Sequence, residues 1–200
     1  MRVPCPPATT SALTLLLALG LTACGTADEP AVSAPQSDKG MSASLRLADG
    51  GEAGKVEVAF TEDDTTLSVQ ATGLPPGLHG FHLHKTGSCE PDSADPAKPA
   101  MKGAFLSAAG HVAEVAQSHG SHDGDLPSLL VRGDGTARLV VTTDRLTRAN
   151  VLDSDGSAVM VHEKPDNFGN VPTRYAPTLD DTTKKTGDAG PRIACAVLKG

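Results

Sequence analysis

The chain has 200 residues and a formal net charge of −7 at pH 7, from 17 Lys and Arg set against 24 Asp and Glu. That length suits one domain with a single core once an address segment is set aside. An acidic chain with 2% aromatic residues has no basic stripe and few rings for bases to stack on, which argues against nucleic acid as a partner.

The amino terminus reads as an address. Met1 and Arg2 precede an apolar run, Leu13 to Leu21, that is too short to span a bilayer. It ends in Leu21-Thr22-Ala23-Cys24, which is similar to the lipobox of bacterial lipoproteins, where the Cys becomes the acylated first residue. We therefore expect a signal peptide over 1–23, a lipidated Cys24 and flexible tether over 24–41, and a domain over 42–200, exported and held at the outer face of the cell membrane. The tether GTADEPAVSAPQSDKG is Pro, Ser, Ala and charge without an apolar period. Cleavage would remove Cys5 and lipidation would occupy Cys24. The domain then keeps Cys89 and Cys195, an even pair in an oxidising compartment, which predicts a disulfide.

After the tether the apolar period becomes two. Ala43, Leu45 and Leu47 alternate with polar residues, as do Val56, Val58 and Phe60, then Leu67, Val69 and Ala71. Turn chemistry separates these runs, as at Asp49-Gly50-Gly51 and Gly133-Asp134-Gly135. Further strands are expected over 81–85, 128–132, 137–142, 158–162 and 192–198, about eight in all, with no long helical period. Many short strands with Gly and Pro turns predict an all-β sandwich or flattened barrel.

Two stretches, about 86–126 and 163–191, are too long for hairpin loops, and long ordered loops on a rigid scaffold tend to carry function. All seven histidines fall in or beside them: His79, His82, His84, His111, His119, His122 and His162. On a strand His82 and His84 share a face, while His79 points the other way. Two imidazoles on one face, with four more in reach, predict a metal site for copper or zinc.

The wording of the chain then resembles the Cu,Zn superoxide dismutases. The resemblance rests on Gly77-Leu78-His79-Gly80-Phe81-His82-Leu83-His84, Gly110-His111, Gly124-Asp125-Leu126-Pro127, Val161-His162-Glu163-Lys164 and Thr186-Gly187-Asp188-Ala189-Gly190-Pro191-Arg192-Ile193-Ala194-Cys195. It runs from about Ala43 to the C-terminus in the family's order, and implies an eight-stranded Greek-key β-sandwich or flattened barrel with two long functional loops.

It further implies one copper per subunit held by His82, His84, His111 and His162, and one zinc held by His111, His119, His122 and Asp125, with His111 bridging. His79 would be structural. Asp166 would link copper-side and zinc-side histidines through their free N–H groups. The zinc side departs from the pattern. Only Gly120 and Ser121 separate His119 from His122, where the family usually has several more residues, so this pair chelates only if the loop turns tightly.

The implied activity is conversion of superoxide to dioxygen and hydrogen peroxide, with His111 passing a proton and Arg192 positioning the anion. Lys184 and Lys185 resemble the family's electrostatic guidance loop. The rival reading is a copper-binding module without turnover, which tends to lose a copper ligand or that Arg; here both are kept. Subunits of this family pair through different surfaces, and these strands are compatible with a monomer or a homodimer.

Overall fold

The computed structural model describes residues 40–113 and 117–200. The expected signal peptide, the lipidated Cys24 and the tether up to residue 39 lie outside them. Eight strands form a closed barrel: β1 (Met41–Leu47), β2 (Glu52–Phe60), β3 (Thr65–Ala71), β4 (Gly77–His84), β7 (Asp125–Val131), β8 (Ala137–Thr143), β9 (Ser157–His162) and β10 (Arg192–Leu198). The first of them opens at Met41, where the tether was expected to end.

The order around the barrel is β1-β10-β9-β4-β7-β8-β3-β2 and back to β1, all antiparallel. Sequential β3 and β4 are thus separated by β8 and β7, a Greek-key crossing of the kind expected. The long loop 86–126 is more ordered than its composition suggests. It holds a two-stranded hairpin, β5 (Ser93–Asp95) with β6 (Lys98–Gly103), and a 3-10 turn at Leu106–Ala108. Two short helices complete the fold, α1 (Arg148–Val151) and α2 (Asp181–Thr186). Among the described residues no helix is long and apolar enough to cross a membrane.

Period two explains where the site sits. On β4, Phe81 and Leu83 join the main core with Val56, Leu67, Leu129, Val159 and Ala196. His82 and His84 therefore face outward, yet both are buried, because the two long loops lie over this part of the barrel. On β9, Val159 and Val161 point into the core, while Ala158 and Met160 pack outside it against Phe105, Ala108 and Cys195. His162 continues that outer face. The outer surface of β4, β9 and β10 thus becomes a second interior, apolar beneath the loop 86–110 and imidazole-lined beside it.

Candidate metal centre

Each histidine is placed by backbone pairing. His82 stands opposite Met160 on β9 and Asp125 on β7. His84 pairs with His111 through an isolated bridge, flanked by the hydrogen bond from Val112 N to Leu83 O at 2.8 Å, so the loop runs beside the end of β4. His162 ends β9 opposite Arg192 on β10. The result is a cluster of His82, His84, His111 and His162, with one ligand atom from each lying within 4.8 Å of the others.

The hydrogen bonds select the nitrogen that each ring turns inward. His84 Nδ1 donates to Ala109 O at 2.8 Å and His162 Nδ1 to Gly190 O at 2.9 Å, which leaves their Nε2 atoms facing each other at 3.4 Å. His82 uses Nε2 on Asp166 Oδ2 at 2.6 Å, so its Nδ1 is the inward atom. His111 places Nδ1 2.7 Å from Asp125 Oδ1 and keeps Nε2 for this cluster.

His111 Nδ1 belongs to a second cluster with His119, His122 and Asp125, again within 4.8 Å. Asp125 Oδ1 lies 3.2 Å from both His119 Nδ1 and His122 Nδ1, so three Nδ1 atoms converge on one carboxylate oxygen. The other oxygen accepts from Gly120 N at 2.7 Å and His122 N at 3.0 Å. A tight turn spans the short spacing between His119 and His122 and brings both rings to Asp125: Ser121 N bonds Ser118 O at 2.9 Å, and Gly120 takes a left-handed φ of 83°.

Asp166 joins the two clusters as its position suggested. It accepts from His82 Nε2 at 2.6 Å, His119 Nε2 at 2.7 Å and Phe168 N at 2.7 Å, and its side chain is sealed from solvent. A buried polar atom without a partner is costly. Among the described residues the two side-chain atoms in that condition are His82 Nδ1 and His119 Nδ1, the far nitrogens of the rings that Asp166 holds. One is aimed into each cluster. His119 Nδ1 is close to Asp125 Oδ1 but makes no hydrogen bond to it, the relation expected of two ligands of one ion.

This donor set fits metals: four imidazole nitrogens suit copper, and three nitrogens with one carboxylate suit a closed tetrahedral zinc site. Burial pushes the imidazoliums of His82, His84 and His162 down, and His111 down to about 3 despite its bond to Asp125, so these rings are neutral with lone pairs available. For Asp125 and Asp166 burial acts upward, but hydrogen bonds from the histidines outweigh it and hold both carboxyls well below the usual range. His119 goes the other way. Burial disfavours its charge, yet the two carboxylates beside it, Asp125 and Asp166, prevail and raise it to about 9, so metal entry there must displace a proton.

Arg192 sits beside the first cluster, half-buried rather than free on the surface. Its Nη1 donates to Phe105 O and its Nη2 to Ala109 O, each at 2.5 Å, and Ala109 O is the same carbonyl that orients His84. Burial pushes its pKa down to about 10, which leaves it a cation at neutral pH. The disulfide Cys89–Cys195 is formed and ties the loop that supplies these carbonyls to β10.

Lys184 and Lys185 lie exposed on α2, whose Asp180 side chain caps Thr182 N and Thr183 N. Lys184 O accepts from His119 N at 2.9 Å, and Lys185 Nζ is 3.3 Å from Asp181 Oδ2. His79 stays outside the clusters: its ring spans the carbonyls of His162 and Pro75, tying loop to strand. Sequence reasoning missed Gly187, packed on the Asp166–His119 bond, and Phe168, stacked on His119 with centroids 6.4 Å apart. The helix-ending glycine of α2 was the available signal for Gly187.

The family model for copper/zinc superoxide dismutase (SODC) matches residues 53–198. The chain belongs to this family. Among curated superoxide dismutases [Cu-Zn], it is 41% identical to that of Mycobacterium tuberculosis over 167 residues, which is 79% of this chain and 69% of that protein. It is 34% identical to that of Escherichia coli K12 over 158 residues, 75% of this chain and 80% of that protein. Among solved structures, the Cu/Zn superoxide dismutase from Brucella abortus aligns with a TM-score of 0.62 at 25% identity, covering 80% of this chain and 99% of that one. The family's two metals, copper and zinc, correspond in number and chemistry to the two clusters.

Proposed function

We propose that this protein dismutes superoxide with copper in the first cluster and zinc in the second, outside the cytoplasmic membrane, held there by lipid on Cys24. The observation that carries the chemistry is the pair of linked clusters with an unpartnered Nδ1 aimed into each. His82, His84, His111 and His162 would hold copper; His111, His119, His122 and Asp125 would hold zinc. Copper supplies reversible one-electron chemistry, so that two superoxide anions and two protons give one dioxygen and one hydrogen peroxide.

The remaining roles belong to the chain's own groups. Arg192, fixed by two carbonyls, directs its remaining N–H groups and its charge at a small anion beside His162, which offsets the acidic net charge locally. His111 Nε2 is the atom assigned to carry a proton to the reduced product. With Nδ1 turned to the second cluster, Nε2 is the ring atom that faces the first cluster and can take and release a proton there. Asp166 fixes the tautomers of His82 and His119. Lys184 and Lys185 add a positive field on the loop that covers the clusters. The location rests on the leader and the Leu21-Thr22-Ala23-Cys24 sequence.

The test is superoxide decay by the full chain loaded with copper and zinc, beside His162→Ala and Arg192→Ala. We expect rapid decay, abolished in the first variant and sharply reduced in the second with copper still bound. Tight copper binding without decay would instead identify a copper-binding module. For the anchor, Cys24→Ser should shift the protein from the membrane fraction to the soluble one; an unchanged distribution would remove the lipid reading.

A further inference from the structure

The second cluster depends on a turn with two residues between ligands, and a guanidinium from the segment after β8 contacts that turn. We propose that Arg145 is a positioning residue for the second metal, holding the His119–His122 turn in its chelating shape; this rests on the reading of that cluster as a zinc site.

Within the turn, the N–H groups of Gly120, Ser121 and His122 are all used, on Asp125 and Ser118. The Ser121 carbonyl remains, and Arg145 Nη2 donates to it. Arg145 Nε lies 3.7 Å from Asp123 Oδ1, which also accepts from Gln117 Nε2 at 3.1 Å. One side chain thus contacts the residues immediately before and after His122. The opposite face is filled as well: a Cβ on Gly120 would lie 2.3 Å from Phe168 O. The turn is clamped between the segment after Asp166 on one side and Arg145 on the other.

Arg145 is itself fixed. The next residue, Leu146, is buried in the core, and Thr65 Oγ1 donates to its carbonyl at 2.6 Å. Arg145 N donates to Thr143 Oγ1 at 3.2 Å, and its carbonyl accepts from Asn150 Nδ2 at 3.4 Å. Asn150 also closes the capping box with Thr147 that starts α1. An exposed ion pair at 3.7 Å contributes little alone. The planar fork bridging a carbonyl and a carboxylate supplies geometry, which a Lys point charge does not reproduce. His111 and His119 have further supports, the pairing with β4 and the bond to Asp166, whereas the placement of His122 follows from the turn.

The test measures zinc affinity of the full chain by chelator competition, and the visible spectrum with cobalt(II) in the second cluster, for wild type, Arg145→Ala, Arg145→Lys and Asp123→Ala. Loss of an outer partner of a metal ligand typically weakens the site about 10–100-fold, and Arg145→Ala should fall in that range. It should also weaken the tetrahedral cobalt bands while leaving the copper affinity of the zinc-free protein unchanged. Arg145→Lys should recover only part of the loss. Arg138→Ala, which removes a surface Arg bonded to Gln70, should change nothing. Undiminished zinc affinity in Arg145→Ala overturns the inference. Should that variant fail to fold, Asp123→Ala decides: it must weaken zinc measurably and less than a ligand substitution does, and no change overturns the inference. A wild type that takes no zinc overturns the reading of the cluster together with the inference.

Discussion

A methyl group placed on Gly187 would meet Asp166 Oδ1 at 1.9 Å and His119 Nε2 at 2.2 Å, and the residue holds a left-handed φ of 57°. No other side chain fits there while the bond between those atoms persists. Gly187 is not a ligand, yet it borders the link that turns His82 Nδ1 and His119 Nδ1 into the clusters. Gly187→Ala should therefore weaken both clusters, by about 10–100-fold if the link behaves as outer partners of ligands do. Strained backbone at that site should also cost the metal-free protein on the order of 1–3 kcal/mol. Metal retention under chelator competition, with thermal unfolding of the metal-free form, checks both. Retention equal to wild type would mean that His82 and His119 are oriented without Asp166.

The loop from residue 86 to 110 acts as one element because it is fastened at both ends. Cys89 joins it to Cys195 on β10, and Phe105 and Ala108 pack against Met160 and Ala158 on β9. Its carbonyls hold Arg192. The bridge spans 106 residues, for which the chain-entropy model gives on the order of 4–5 kcal/mol. The paired substitution Cys89→Ser with Cys195→Ser should lower thermal stability accordingly. It should also weaken binding of a small competing anion such as azide more than it weakens copper binding, since His82, His111 and His162 do not depend on that loop's carbonyls. Equal losses in an anion titration and a copper titration would contradict this division. The barrel strands were legible in the sequence because one face of each enters the core, as Val56, Val58 and Phe60 do, leaving a period of two. The pair His82 and His84 was legible for the same reason. The β5–β6 hairpin was not: β6 is exposed almost throughout and carries Pro99, so no alternation marks it. Nor was the tightness of the zinc-side turn, which is set by Asp125, Phe168 and Arg145 from other parts of the chain.

Across the whole molecule, the two clusters concentrate most of the groups whose protonation changes on folding, and this fixes how the metal-free protein responds to pH. His82, His84, His111 and His162 titrate near 6.5 when unfolded and lower when folded, chiefly through burial, with His111 at about 3. Below 6.5 the unfolded chain binds protons that the folded one refuses, so their stability is present above 6.5 and lost as pH falls through the folded values. Each contributes up to about 1.4 kcal/mol per pH unit in its window. Asp125 and Asp166 add a further loss below the ordinary carboxylate range, because their folded pKa values are depressed. His119 has the opposite sign. Raised to about 9, it contributes fully below 6.5 and loses that contribution as pH rises toward 9. The metal-free protein should therefore be most stable near pH 6.5, decline gently toward 9 and steeply toward 4, where four histidines act together. Copper and zinc held by the same nitrogens would favour the folded state, so the loaded protein should stay flat until acid releases the metals. Calorimetry of both forms across pH 4–9 tests this: a metal-free curve as flat as the loaded one would mean that the clusters open to water when empty, with the histidines titrating as they do in the unfolded chain.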